Sequence, residues 1–276
     1  MKAVVNVPVC PLLSQPRRDS PLADEALFGM TLEVLDTPEP GWGRVRTSYR
    51  YEGYAPLACL ALEEGPAKQW ADLPKRVVRH KSACDVMDAP TWQARPRLTL
   101  PLGALVAPVG EAEEGWQRVA LPGGEKGYVR SGILGPVPPD PGGLSEMALR
   151  ARLVAAAMAY WGAQYRWGGK TPQGIDCSGL ASMAYLLNGI TIYRDARLEP
   201  GFDLVEIPRE EMGVGDLLFF PGHVAMYLGR GRYLHATGRA GSDGVVVNSL
   251  HAGDPDYRPD LAQALTQVGS YTGFHR

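Results

Sequence analysis

When the chain is slid on itself by 74 positions, "GWGRVRTSYRYEGYAPLACL" from Gly41 lies without a gap over "GWQRVALPGGEKGYVRSGIL" from Gly115. Trp42 and Trp116, Arg44 and Arg118, Val45 and Val119, Gly53 and Gly127, Tyr54 and Tyr128, and Leu60 and Leu134 coincide. Upstream, Gly29 and Gly103 coincide as well, each just before a strand-like run, "TLEVL" and "ALVAPV". A register kept this strictly demands two copies of one small unit. Each copy has short β-rich runs, a Gly-Trp strand start and a Gly-Tyr return strand, the pattern of a small β-barrel.

The pattern resembles bacterial SH3-like domains, in which such Gly-Trp and Gly-Tyr pairs mark two adjacent strands. On this reading residues 1–66 form a first barrel and 67–136 a second, with Trp42, Trp116, Tyr54 and Tyr128 packed in their cores. The segment "GPVPPDPGG" is too rich in Pro and Gly for a helix or an inner strand, and residues 137–144 read as a linker. Ser145 then stands as an N-cap before Leu149, Leu153, Val154, Ala157, Met158 and Trp161 at helical spacing. Residues 145–276 read as a third, α+β domain.

A formal net charge of −2 excludes a basic nucleic-acid footprint. No window approaches the roughly 18 apolar residues of a membrane helix, so no membrane partner is expected. The start, "MKAVVNVPVCPLL", is interrupted by Asn6, Pro8 and Pro11 and makes a poor signal peptide, which leads to an expectation of a cytoplasmic protein. Four cysteines without CxxC spacing indicate neither a zinc finger nor a disulfide framework, and Cys10, Cys59 and Cys84 read as small buried hydrophobes.

Cys177 is different. The Gly-rich loop "GAQYRWGGKTPQGIDCSGL" delivers it to the start of a helix whose stripe is Leu180, Ala184 and Leu187 and whose stop is Asn188 with Gly189. Asp176 is a natural N-cap, so the thiol falls in the first turn, where unpaired N–H groups and the helix dipole favour a thiolate. In "HVAMYLG", His223 shares a strand face with Ala225 and Tyr227, opposite the apolar Val224, Met226 and Leu228, and so faces away from the core side. A three-residue loop at Gly229–Gly231 sets His235 opposite Ala225 and makes His223 its diagonal neighbour at roughly 7–8 Å. A two-residue loop puts the two histidines on opposite faces. Cysteine, base and orienting group make an apparatus for attack on an amide carbonyl, with His223 as proton carrier and His235 as its support. The rival reading takes Cys177, His223 and His235 as zinc ligands. His80, His251 and His275 carry no such pattern.

"YRWGGKTPQGIDCSGL", "GDLLFF", "HVAMYLG" and "YLHATG" resemble, in order and spacing, the NlpC family of papain-like bacterial cell-wall peptidases. The resemblance implies that Cys177 is the nucleophile, His223 the base, His235 the third member, and Tyr165 with the Cys177 N–H the oxyanion donors. No cofactor or metal is implied. Two SH3-like domains ahead of the peptidase resemble the family's murein-peptide recycling enzymes, in which the first such domain closes the far end of the cleft. That likeness implies cleavage of the γ-D-glutamyl to L-diamino acid bond (lysine or diaminopimelate) in stem peptides with a free N-terminal L-alanine. Tyr51 of "YEGY" would stand in the closing wall, and Asp176, Ser178 and Asp195 would meet the substrate's amino end. The second repeat has Glu125 where Tyr51 stands. A secreted wall hydrolase, or a wall-binding protein without activity, are the alternative readings.

Overall fold

The computed structural model describes residues 1–62, 64–137 and 141–275, which divide into two compact units, Met1–Val137 and Pro138–Arg276. The first unit opens with β1 (Lys2–Val5), β2 (Val9–Leu13), β3 (Leu22–Leu27), β4 (Thr31–Glu39), β5 (Trp42–Thr47), β6 (Glu52–Pro56) and β7 (Leu60–Leu62). After helix α1 (Gly65–Asp72) come β8 (Arg76–Val78), β9 (Cys84–Met87), β10 (Pro96–Leu100), β11 (Leu105–Pro108), β12 (Trp116–Ala120), β13 (Lys126–Arg130) and β14 (Leu134–Pro136). Each set forms one antiparallel sheet, in the order β3-β2-β6-β5-β4-β1-β7 and its counterpart β10-β9-β13-β12-β11-β8-β14.

The offset of 74 reaches down to single hydrogen bonds. Thr47 N–H donates to Tyr51 O at 2.9 Å, and Leu121 N–H to Glu125 O at 2.9 Å. Both turns need a left-handed residue, filled by Arg50 at φ 63° in one and Gly124 at φ 94° in the other. The cores differ from the expectation. Val45, Ala55, Leu12 and Leu32 fill the first, and Val119, Val129, Val86 and Leu100 the second. Trp42, Tyr54 and Tyr128 are half-buried outside them, because strand alternation gives the inner face to Val45, Ala55 and Val129. Trp116 is buried, but against the ring of Trp92 at 5.3 Å. Cys10 and Cys84 lie in the barrel cores, while Cys59 is half-buried at the edge of the first.

The two barrels are joined by shared apolar packing. Phe28, which follows β3, is buried in the core cluster of the second barrel. Trp70 of α1 packs on Val4 and Ala107, meets Phe28 edge-on at 6.5 Å, and donates its indole N–H to Ala120 O at 2.8 Å. The join at residues 66 and 67 thus falls inside α1.

Residues 138–140 of the anticipated linker lie outside the described residues, and Pro141–Gly143 then make one 3₁₀ turn. Ser145 caps α2 (Glu146–Met158), accepting from Ala148 N–H at 3.3 Å. The stripe is narrower and shorter than anticipated: Leu149, Leu153 and Ala157 are buried, but Met158 is exposed on the opposite face of α2 and Trp161 is exposed beyond its end. A short ribbon of β15 (Lys170–Thr171) and β16 (Gly174–Ile175) precedes α3 (Cys177–Leu186). An antiparallel sheet of β17 (Leu204–Ile207), β18 (Leu217–Phe220), β19 (His223–Gly229), β20 (Arg232–Thr237), β21 (Gly244–Ser249) and β22 (Gln267–Tyr271) follows, with helix α4 (Pro259–Ala264) between the last two. Its order is β17-β22-β18-β19-β20-β21. Helix α3 packs on α2 and on β19 and β20, and residues Cys177–Tyr185 are buried all round it. No helix among the described residues is long and apolar enough to cross a membrane.

Trp70→Ala removes a buried indole and its hydrogen bond, and should cost about 3–5 kcal/mol in the unfolding of residues 1–137. Urea denaturation checks this against Trp92→Ala, a residue that is 71% exposed and whose truncation should cost far less.

Candidate active site

The first residue of α3 is Cys177, and the N-cap is Asp176, as the sequence predicts. Asp176 does more than cap. One carboxylate oxygen accepts from Gly179 N–H at 2.6 Å and the other from Gly168 N–H at 2.8 Å, which ties the Gly-rich loop to the helix start. Gly179 has to be glycine, since a Cβ there would run into the carbonyl oxygen of Gly169. Arg194, wholly buried, grips Asp176 with two parallel bonds at 3.0 and 3.1 Å and donates to Ser178 Oγ at 2.7 Å. A buried carboxylate next to the thiol thereby receives a permanent counterion.

The Cys177 sulfur faces the peptide between His223 and Val224, whose N–H, with that of Ser178 and the charge of Arg194, favours the thiolate. Burial works the other way and wins: it pushes the thiol up to about 11, with the Asp176 carboxylate adding to the rise. The lowering expected from the helix terminus alone is therefore reversed. Tyr165 sits beside the thiol, its ring against Gly238, and burial with the nearby Cys177 and Asp176 charges holds its phenol protonated up to about 12.

His223 and His235 meet, and the hairpin explains how. Arg230 and Gly231 form a two-residue turn, both with positive φ (51° and 74°), closed by Gly229 opposite Arg232. A bulge at Leu228 then restores the register that a three-residue loop would give, with Tyr227 opposite Tyr233 and Met226 opposite Leu234. His223 Nε2 lies 2.7 Å from His235 Nδ1, and His235 Nε2 lies 2.9 Å from Asn248 Oδ1. The Asn248 amide is fixed by donating its N–H to Asp256 O at 2.9 Å, so its oxygen must accept from His235. His235 thus carries its proton on Nε2, accepts on Nδ1 from His223 Nε2–H, and leaves Nδ1 of His223 as a free base. With both nitrogens of His235 engaged, the zinc reading loses a ligand.

The face of His223 is not an open one. Ala225, Tyr227 and Tyr233 pack with Phe220, Leu218 and Val268 under a cover that includes Leu250 and Leu261, so the sheet is buried on both sides. Burial pushes His223 down to about 3, helped by His235 and Arg258, and His235 down to about 4, against the pull of Asn248. Burial thus favours the neutral form of both the thiol and the imidazole. Asp195 lies on the loop after α3 beside the Tyr193 hydroxyl, and Tyr51 lies in the β5–β6 turn of the other unit. Arg194 and Asn248 were not singled out from the sequence. The available signals were an arginine beside Asp195 in "YRDAR" and a polar residue closing the apolar run "VVVNS".

Residues 162–258 match the NlpC/P60 family model, and residues 12–60 match the bacterial dipeptidyl-peptidase SH3 domain. Dipeptidyl-peptidase 6 of Lysinibacillus sphaericus is 42% identical over 273 residues, covering 98% of this chain and 99% of that one. The chain belongs to the NlpC/P60 family. It is a cysteine peptidase related to peptidoglycan-directed enzymes. The gamma-D-glutamyl-L-lysine dipeptidyl-peptidase of Bacillus subtilis is 31% identical over 141 residues, 48% of this chain and 44% of that one. An NlpC/P60 family protein from Bacillus cereus shares the fold from end to end, with a TM-score of 0.80 at 22% identity over 99% of this chain and 100% of that one.

Because both histidines are depressed, they gain protons only as pH falls through about 3–4, and the NlpC/P60 base stays available well below its ordinary value of 6.5. kcat/KM for a peptide substrate should therefore hold its plateau through pH 6.5 and fall only well below it. An acid limb centred at or above 6.5 contradicts the buried neutral pair. Stability carries the same sign: unfolded histidines bind protons that the buried pair refuses, so the fold should lose stability as pH falls below 6.5.

Proposed function

We propose that this peptidase hydrolyses the γ-D-glutamyl to L-diamino acid bond of murein stem peptides that carry a free N-terminal L-alanine, releasing L-Ala-γ-D-Glu in the recycling of cell-wall peptides. The observation that carries the reading is the end-to-end 42% identity with a protein named dipeptidyl-peptidase 6, SH3-like domains included. A dipeptidyl peptidase counts residues from an amino end, which requires a wall beyond the second residue. The name of the Bacillus subtilis relative supports the choice of bond.

In this mechanism Cys177 Sγ attacks the γ-carbonyl carbon as its proton passes to Nδ1 of His223. Transfer and attack are coupled, since neither the thiolate nor the imidazolium is favoured at rest. The oxyanion is held by the Cys177 N–H, free at the first helical position, and by the Tyr165 hydroxyl. The C–N bond then breaks as His223 returns the proton to the departing amine, leaving a thioester. Water, deprotonated by His223, cleaves the thioester and restores the thiol. His235 and Asn248 hold the tautomer throughout.

Tyr51 is proposed as part of the wall at the amino end. Support comes from the repeat: its turn is built like that of Glu125, so the turn itself does not call for a tyrosine. Asp176, Ser178 and Asp195 are proposed to receive the substrate's ammonium group. For Asp176, the contribution is reduced by Arg194, which already balances its charge.

Mass spectrometry of L-Ala-γ-D-Glu-L-Lys incubated with the protein should show L-Ala-γ-D-Glu and lysine. N-acetylation should lower kcat/KM by roughly 5–150-fold, since it leaves buried polar partners unpaired at about 1–3 kcal/mol. Equal rates would sink the walled cleft. Cys177→Ala and His223→Ala should abolish turnover, His235→Gln should keep a measurable fraction, and Tyr51→Ala should narrow the gap between free and capped peptides while Glu125→Ala leaves it unchanged.

A further inference from the structure

The second barrel carries a groove of about 540 Å³, large enough for a dipeptide-sized ligand. Trp116 and Tyr128 supply aromatic surface, Glu111, Glu113 and Glu114 line it from the β11–β12 loop, and Arg118 completes the lining. Part of the aromatic surface is packed: Trp92 meets Trp116 at 5.3 Å, and the Arg130 guanidinium lies 4.8 and 4.9 Å from the two ring centres.

The first barrel serves as an internal control, because the same scaffold there does something else. Arg44, the counterpart of Arg118, is held by Asp36 at 2.6 Å and Glu52 at 3.4 Å, and the surface is tied down by ion pairs. In the second barrel the positions of Asp36 and Glu52 are occupied by Gly110 and Lys126, neither of which can neutralise Arg118. Gly110 also removes a side chain from the groove lining. Carboxylates appear instead on the loop, Glu111 where the first repeat has Thr37 and Glu114 where it has Pro40, while Glu113 matches Glu39. Divergence has changed a closed ion-paired surface into a concave one with an aromatic part and an acidic rim.

We propose that this groove is a binding site for peptides bearing a side chain that ends in an ammonium group. The alkyl stem lies on Tyr128 and the small exposed edge of Trp116, the ammonium reaches Glu111, Glu113 and Glu114, and Arg118 takes a carbonyl or carboxylate oxygen of the same peptide. Such a chain combines the apolar length and the terminal charge that the lining offers.

The test uses the full chain with ¹⁵N-labelled tryptophan indoles, the Trp116 signal assigned through Trp116→Phe. N-acetyl-L-lysine methylamide should shift that signal saturably at millimolar concentration. N-acetyl-L-norleucine methylamide, which keeps the stem and drops the charge, should not. Combining Glu111→Gln, Glu113→Gln and Glu114→Gln should weaken the lysine probe at least tenfold, with the other five indole signals in place to report an intact fold. The absence of a saturable shift, an equal response to both probes, or an unchanged affinity in the triple variant each overturns the proposal.

Discussion

A histidine can take a proton from a thiol only if one ring nitrogen is kept bare, and in this protein that condition is met from the two neighbouring strands and the loop that follows them. The carbonyl of Asp256 fixes the Asn248 amide, Asn248 fixes the proton of His235, and His235 fixes the proton of His223. Each link is a hydrogen bond of 2.7–2.9 Å between buried or half-buried groups, where a reversed tautomer would set two donors or two acceptors against each other. The chain depends in turn on one bulge. Without the extra residue at Leu228, His235 would point through the sheet and His223 would have no support.

On the opposite side of the cleft the problem is charge rather than tautomer. Asp176 is needed to cap α3 and hold the Gly168 loop, yet a bare carboxylate beside the thiol would oppose thiolate formation. Arg194 resolves this by binding both carboxylate oxygens and Ser178 from a buried position. Burial nevertheless outweighs that help and favours the neutral form of both catalytic groups. Burial raises the thiol and lowers the imidazole, so charge is separated only when a substrate carbonyl is present to draw the sulfur.

Much of this was legible in the sequence, for identifiable reasons. The repeat was readable because its positive-φ glycines and strand residues recur at a fixed offset, which survives into the sheet order of both barrels. Asp176 as cap and Cys177 in the first turn were readable because capping is local. The large aromatics of the barrels were misplaced because size suggests a core, whereas strand alternation reserves the inside for smaller Val45 and Val129. Two-sided burial of β19 was hidden for a related reason: Ala225 and Tyr227 look like an outer face until the segment holding Leu250 and Leu261 covers them. Arg194 and Asn248 act across 18 and 13 residues of sequence, and no local pattern links them to their partners.

Catalysis depends on this tautomer chain, and ¹⁵N NMR of the histidine ring nitrogens in the substrate-free protein at neutral pH tests it directly. The hydrogen-bond chain requires His235 protonated at Nε2 with a bare Nδ1, and His223 protonated at Nε2 with its own bare Nδ1. A His223 imidazolium, or a His235 ring protonated on Nδ1, would contradict it.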